Sequence, residues 1–250
     1  MKGFISKDRL QALISIALTI VVLAFLSRAI DNEIIFPSIG SIGRSIVGIV
    51  REASFLKILA SSLYRSLLGF MVSLALAILM AGLSSIYRPI NYLIRPLIGF
   101  LNSTPIIAII LLALIWLDNE LVPMFVGFIM VFPILYERVL KSIANIDEKM
   151  MEMARIYKVG EIHIIKDIYM PSIYFGLVDI LPSSLGLNLK MVISGEVLSQ
   201  PQYAIGSRLQ LQKIYLNTSG VFAWIVIILI LAKLLEYLMR GLVRWIRLGK

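Results

Sequence analysis

Six stretches of this chain are apolar for long enough to cross a lipid bilayer, and this limits what it can fold into. A transmembrane helix needs about 20 consecutive, mostly apolar residues. Such runs occur at residues 10–29, 60–83, 96–117, 121–136, about 173–198, and 221–239. The fourth is short but extendable, and the fifth is the least apolar. The expected fold is all-α and polytopic, a single transmembrane domain over residues 1–250 with six membrane-spanning helices.

Composition agrees. Hydrophobic residues make up 59% of the chain and charged residues 16%, with a mean hydropathy of +0.92. A soluble domain averages about half apolar residues and more charge than this. The net charge of +9 would suggest nucleic acid in a soluble protein. In a membrane protein it reflects Lys and Arg in cytoplasmic loops, so the expected surroundings are a bilayer and no nucleic acid. The absence of cysteine excludes disulfides and thiolate metal sites, and a single histidine, His163, removes His-cluster metal chemistry. Lys2, Lys7 and Arg9 precede the first run, but further runs follow, so that segment reads as a retained signal-anchor.

The loops set the orientation. With the N-terminus in the cytoplasm, the inner segments hold fifteen Lys and Arg residues and the outer segments six. The positive-inside bias therefore places both termini in the cytoplasm of a cell inner membrane. The acidic turn Asp118 to Glu120 then falls outside. Residues 30–59 form a first external loop with Pro37 and several glycines, amphipathic towards Leu59. Residues 137–170 form a long cytoplasmic loop with six basic and six acidic side chains. That balance is no positive-inside tag; it suits recognition by another protein.

Within this loop Ile146, Met150, Met153, Ala154 and Tyr157 fall on one face of a helix. Gly160 interrupts. Ile162, Ile165 and Ile168 predict a second short helix, which Pro171 ends while opening the fifth span. The segment is expected to form a compact cytoplasmic knob.

Here the residues resemble a known family. Glu152-Met153-Ala154 followed by Met170-Pro171 resembles the EAA loop of ABC importer permeases, where Glu-Ala-Ala is followed by a Gly and then by Leu-Pro nineteen residues after the Glu. The spacing from Glu152 to Pro171 matches. Asp147 sits where an Asp commonly precedes the motif. Met153 replaces an Ala, and Lys158 occupies the usual glycine position, with Gly160 two residues later. The likeness covers roughly residues 50 to 245. Residues 61–70, Thr104 to Ala108, Leu114 to Trp116, Ser194 to Leu198 and Ile205-Gly206 are similar to the nitrate, sulfonate and taurine type of permease.

The resemblance implies a type I ABC importer permease-like fold and a mechanism. Two permease copies, as a homodimer, form the path. Two cytoplasmic ABC ATPase subunits dock on the knob, where Asp147, Glu152, Ala154, Lys158, Gly160, His163 and Pro171 are the expected coupling residues. An extracytoplasmic substrate-binding protein delivers the solute. No cofactor is expected, because ATP is bound by the partner ATPase; this sequence has no Gly-Lys-Ser/Thr phosphate loop. The chain is expected not to be an enzyme. The resemblance implies a small anionic or polar solute, with a pyrimidine, thiamine-precursor or riboflavin-type compound as the alternative. A secondary transporter or channel is the remote alternative; no inverted repeat supports it.

The fifth span carries polar groups that hydrocarbon penalises. With Asp179 at zero and about 100° per residue, Ser183, Gly186, Lys190 and Ser194 all fall within about 80° on an unbroken helix. Such a stripe points to a substrate path lined by Asp179, Ser183, Lys190 and Ser194, with Glu196 at its outer end, or to a packing face with Lys190 paired elsewhere. Pro182 is a candidate bend. Glu196, at the outer end, reads as a gating or structural pair or as a solvated charge. Arg65 is expected to snorkel to the interface. Lys233 and Glu236 are expected to pair or snorkel, and Asn102, Ser103 and Thr104 to pack or satisfy local helix bonds, with substrate binding as the alternative.

Overall fold

The computed structural model describes residues 25, 27–30 and 32–248. The expected first span, residues 10–29, lies almost wholly outside them. From Ile39 onward, secondary structure among the described residues is helical. The helices are α1 (Ile39–Arg51), α2 (Phe55–Ile86), α3 (Arg88–Ser103), α4 (Ile106–Trp116), α5 (Val122–Ala144), α6 (Glu148–Ile156), α7 (Glu161–Ile164), a π-helical turn (Ile165–Tyr169), α8 (Met170–Val178), α9 (Leu181–Ser199), α10 (Ile205–Ile214) and α11 (Thr218–Leu248).

Among the described residues, three helices are long and apolar enough to cross a membrane: Phe55–Ile86, Val122–Ala144 and Thr218–Arg244. Two further helix pairs pass the same test only when taken together, and each is bent. α3 and α4 meet at 108°, and the helix Glu161–Val178 meets α9 at 59°. Counting each bent pair as one span gives up to five candidate spans among the described residues. The run at residues 96–117 is therefore corrected to a bent one, and the candidate bend at Pro182 in the run at 173–198 is present. Both bends fall at prolines. Pro105 caps α4, and it disfavours helical geometry at Thr104, which is extended (φ −81°, ψ 127°). Pro182 is the second residue of α9, where its missing N–H costs nothing. The fourth run is extended: α5 continues through residues 137–144, which the sequence assigned to the cytoplasmic loop.

The chain divides into two compact units. In the first, the described residues up to Phe55 associate with Arg208–Ile227. α1 starts at Ser38, whose hydroxyl accepts from Ser41 N–H at 3.1 Å. The Ser45 and Ser219 hydroxyls lie 2.9 Å apart, and Phe36 meets Phe222 edge-on at 5.8 Å.

The second unit, Leu56–Ser207 with Ile228 onward, carries the main core. Phe70, Ala77 and Ala81 of α2 pack with Ile98 of α3, Val131, Leu135 and Val139 of α5, and Leu185 of α9. Apolar burial drives little association inside a membrane, so close backbone approach through small residues does more of the work. The glycines fit this. A Cβ on Gly127 (α5) would lie 2.7 Å from Val192 of α9, and one on Gly195 (α9) 2.9 Å from the backbone of Pro123. A Cβ on Gly69 (α2) would lie 2.7 Å from the Met124 carbonyl.

Candidate functional site

The knob follows from local sequence. Asp147 caps α6, its carboxylate accepting from Lys149 N–H at 2.9 Å, which suits the helix N-terminus. α6 ends in a left-handed residue, Lys158, at φ 51°. Val159 N–H donates back to Ala154 C=O at 2.9 Å, and Lys158 N–H to Arg155 C=O at 3.0 Å. This is the conformation that favours glycine at a helix C-terminus. The glycine requirement therefore sits at Lys158. Gly160 has an ordinary φ of −63° and precedes α7.

The second helix does not stop at Pro171. It passes through the π turn, where Met170 N–H bonds Ile165 C=O, and continues as α8. The wider turn accommodates Pro171, whose ring would crowd the carbonyl four residues back in a regular helix. The base of the knob is pinned to α5. Ser172 Oγ donates to Ser142 C=O at 2.7 Å, and Arg138 Nε donates to Gly176 C=O at 2.7 Å. Of the expected coupling residues, Ala154 is buried, while Glu152, Lys158 and His163 are exposed. Met150, Met153, Ile156, Tyr157 and Ile162 are exposed as well, Tyr157 by 78%. Apart from Ala154 and the half-buried Met151, the apolar side chains of α6 are thus left exposed.

At the other end of α5 lies a polar network. Glu196 of α9 is fully buried. Its Oε2 accepts from Ser62 Oγ at 2.9 Å and from Gly206 N–H at 3.0 Å; its Oε1 accepts from Arg65 Nη1 at 3.1 Å. Arg65 also donates to Tyr203 C=O at 3.0 Å and pairs through Nη2 with Glu120. Ser62 Oγ in turn accepts from Ile205 N–H at 3.0 Å. Arg65 was expected to snorkel; instead it is 8% exposed and spans two carboxylates. A signal was present in sequence: a buried charge needs a counterion, and Glu196 is the carboxylate of α9. Ser62, Glu120 and Tyr203 carried no such signal.

Glu120 lies in the turn between α4 and α5. Partial burial pushes its carboxyl up, but the Arg65 hydrogen bond, the Gln202 N–H and the Arg65 charge outweigh this and hold it below the usual carboxylate range.

The α9 stripe is only partly as expected. The break before Leu181 removes Asp179 from the helix that carries the others. Gly186 faces inward; a Cβ there would lie 2.6 Å from Glu236 Oε1. Ser183, Lys190 and Ser194 are exposed together on α9. Ser183 Oγ donates to Ile180 C=O and Ser194 Oγ to Lys190 C=O, both at 3.0 Å. Among the described residues no carboxylate lies within ion-pair distance of Lys190. On the opposite face Asn188 is buried and accepts from Ser66 Oγ at 2.9 Å. Lys233 and Glu236 pair at 2.8 Å. Ser103 and Thr104 hydroxyls both bond Phe100 C=O.

The family described as binding-protein-dependent transport system inner membrane component matches residues 73–248. A probable ABC transporter permease protein of Brucella melitensis biotype 1 is 29% identical over 191 residues, covering 74% of this chain and 77% of that protein. A counterpart in Brucella abortus strain 2308 is 29% identical over 191 residues, covering 74% and 76%. Among solved structures, a chain of the MetNI methionine ABC transporter in inward-facing conformations has a TM-score of 0.58 at 16% identity, covering 76% of this chain and 92% of that one. At that identity the likeness is one of fold.

Proposed function

The chain belongs to the binding-protein-dependent transport system inner membrane components, and from that premise we propose that it forms the path for a small anionic or polar solute of the nitrate, sulfonate or taurine type. It is a multi-pass membrane protein and an ABC transporter permease, not an enzyme. Two copies surround the path, and an extracytoplasmic binding protein delivers the solute. ATPase subunits dock on the knob between Asp147 and Pro171, in a six-span chain of the inner membrane with both termini cytoplasmic.

One observation carries the path reading: Lys190 is exposed beside Ser183 and Ser194 and has no carboxylate at ion-pair distance among the described residues. A charge held in hydrocarbon costs about 2.5–3.5 kcal/mol on insertion scales. The ammonium must therefore face water, a second protein copy or the solute. A polar face with one cation suits an anionic solute moving along the dimer axis. Lys190→Met should reduce uptake while leaving assembly and basal ATPase activity intact, and Lys190→Arg should retain part of the uptake. Failure of Lys190→Met to assemble would make Lys190 a structural pair. The orientation is tested by single cysteines at Ser38 and Lys149, which should label from opposite sides of the membrane.

A further inference from the structure

Where α2 ends at Ile86 and α5 at Ala144, the surface holds a basic recess that neither the knob nor the α9 face uses. α3 packs across the last turns of α5, with Ile98 and Leu101 in one cluster with Tyr136 and Val139. Beside this contact a cavity of about 420 Å³ opens, with Asn91, Arg95, Tyr136, Glu137 and Lys141 in its lining. A second cavity of about 220 Å³ is lined by Arg88, Asn91, Tyr92 and Arg95. The two share Asn91 and Arg95.

Arg88, Asn91 and Arg95 follow one another at i, i+3 and i+7, so they present one face of α3. Arg88, Arg95 and Lys141 are exposed. Among the described residues none of the three has a carboxylate within ion-pair distance. Glu137, the acid in the lining, accepts from Asn102 Nδ2 at 3.4 Å. The recess is thus cationic, with guanidinium forks suited to a phosphate. Next to it α3 exposes Tyr92, Leu93, Leu97 and Phe100, Leu93 by 76%. A soluble anion would use the cations and leave that apolar face bare. A phospholipid uses both, with its phosphate in the recess and its acyl chains along α3.

We propose that the recess between α3 and α5 binds the headgroup of an anionic phospholipid. Basic pockets between membrane helices on the cytoplasmic side suit such headgroups, and interfacial aromatic and apolar side chains anchor the helix at that depth. The site depends on the orientation proposed above only for naming the cytoplasmic leaflet as its source.

The test is retention of phosphatidylglycerol against phosphatidylcholine by the full chain in nanodiscs of both lipids, read by native mass spectrometry. Arg88→Gln with Arg95→Gln should lower the preference about 25-fold, a factor of about five for each basic residue near the headgroups. Lys141→Gln alone, on the other helix, should lower it about fivefold and covers the case in which the double variant does not fold. Unchanged preference in either folded variant would overturn the proposal. So would displacement of phosphatidylglycerol by millimolar inorganic phosphate, which would make the recess a soluble-anion site. Lys190→Met should keep the lipid preference whatever it does to uptake, so the two readings fail separately.

Discussion

The polar network around Glu196 and the knob at residues 148–164 lie beyond opposite ends of α5, and they satisfy their side chains in opposite ways. Glu196 is wholly buried, and its oxygens accept from Arg65, Ser62 and Gly206. Every partner comes from the same chain. The knob inverts this: its charges are solvated, and its large apolar side chains, Met153, Ile156, Tyr157 and Ile162, are left exposed. A buried charge must be neutralised locally because desolvation is costly. An exposed apolar cluster has no such internal remedy, and contiguous patches of this kind mark interaction sites. The first region is therefore explained by this chain alone, and the second is the surface proposed to receive the ATPase.

The largest expected effect breaks the self-contained end. Arg65→Leu strands the Glu196 carboxylate and should destabilise the protein by about 3–5 kcal/mol, seen as a lower unfolding midpoint in detergent. Adding Glu196→Leu should restore much of that loss, because the uncompensated charge is gone. Next comes the seam where the knob meets α5. A Cβ on Gly176 would lie 2.7 Å from Ser142 Cβ, so Gly176→Ala should cost about 1–3 kcal/mol through overpacking, read in the same way. If the variant is neutral, the knob is not rigidly seated.

A smaller effect concerns pH. The Glu120 carboxyl is held below its ordinary range by Arg65 and Gln202 against the pull of burial. Its contribution is present above the unfolded carboxylate pKa and is lost as pH falls through the lowered folded value. Exchange of the Gln202 amide hydrogen should accelerate across that acidic window. In Glu120→Gln the step should vanish, at a stability cost of at most about 1 kcal/mol, since the carboxylate is half exposed. The smallest effect is a gain. Lys158 occupies the left-handed region, so Lys158→Gly should stabilise the knob turn by about 1 kcal/mol, visible as slower amide exchange at Val159 with no change in unfolding of the spans.

The long apolar runs made α2, α5 and α11 legible in sequence, because span length is a direct consequence of bilayer thickness. The bends were not. Pro105 and Pro182 were visible, but whether a proline kinks a helix, caps it or sits harmlessly in its first turn depends on what packs around it. The same limit applied to the polar residues. A helical wheel placed Asp179 and Gly186 with Lys190, yet a break at Asp179 and the carboxylate of Glu236 against Gly186 split the stripe. Arg65 is the sharpest case. Its position in an apolar run demanded either snorkelling or a partner, and the choice rested on Glu196, 131 residues away. Lys158 was readable as a departure from a familiar glycine, and its positive φ supplies the physical reason that glycine suits the position.

We propose that the knob is an incomplete surface finished by an ATPase. The chain has no cysteine, so single cysteines at Met153 and Ile156 give clean probes. Maleimide labelling should be fast in the permease alone and at least tenfold slower, by about 1.4 kcal/mol of protection, in the complex with its ATPase subunits. A control cysteine at Ser38 should label equally in both. Equal labelling of Met153→Cys and Ile156→Cys with and without the ATPase would contradict the account.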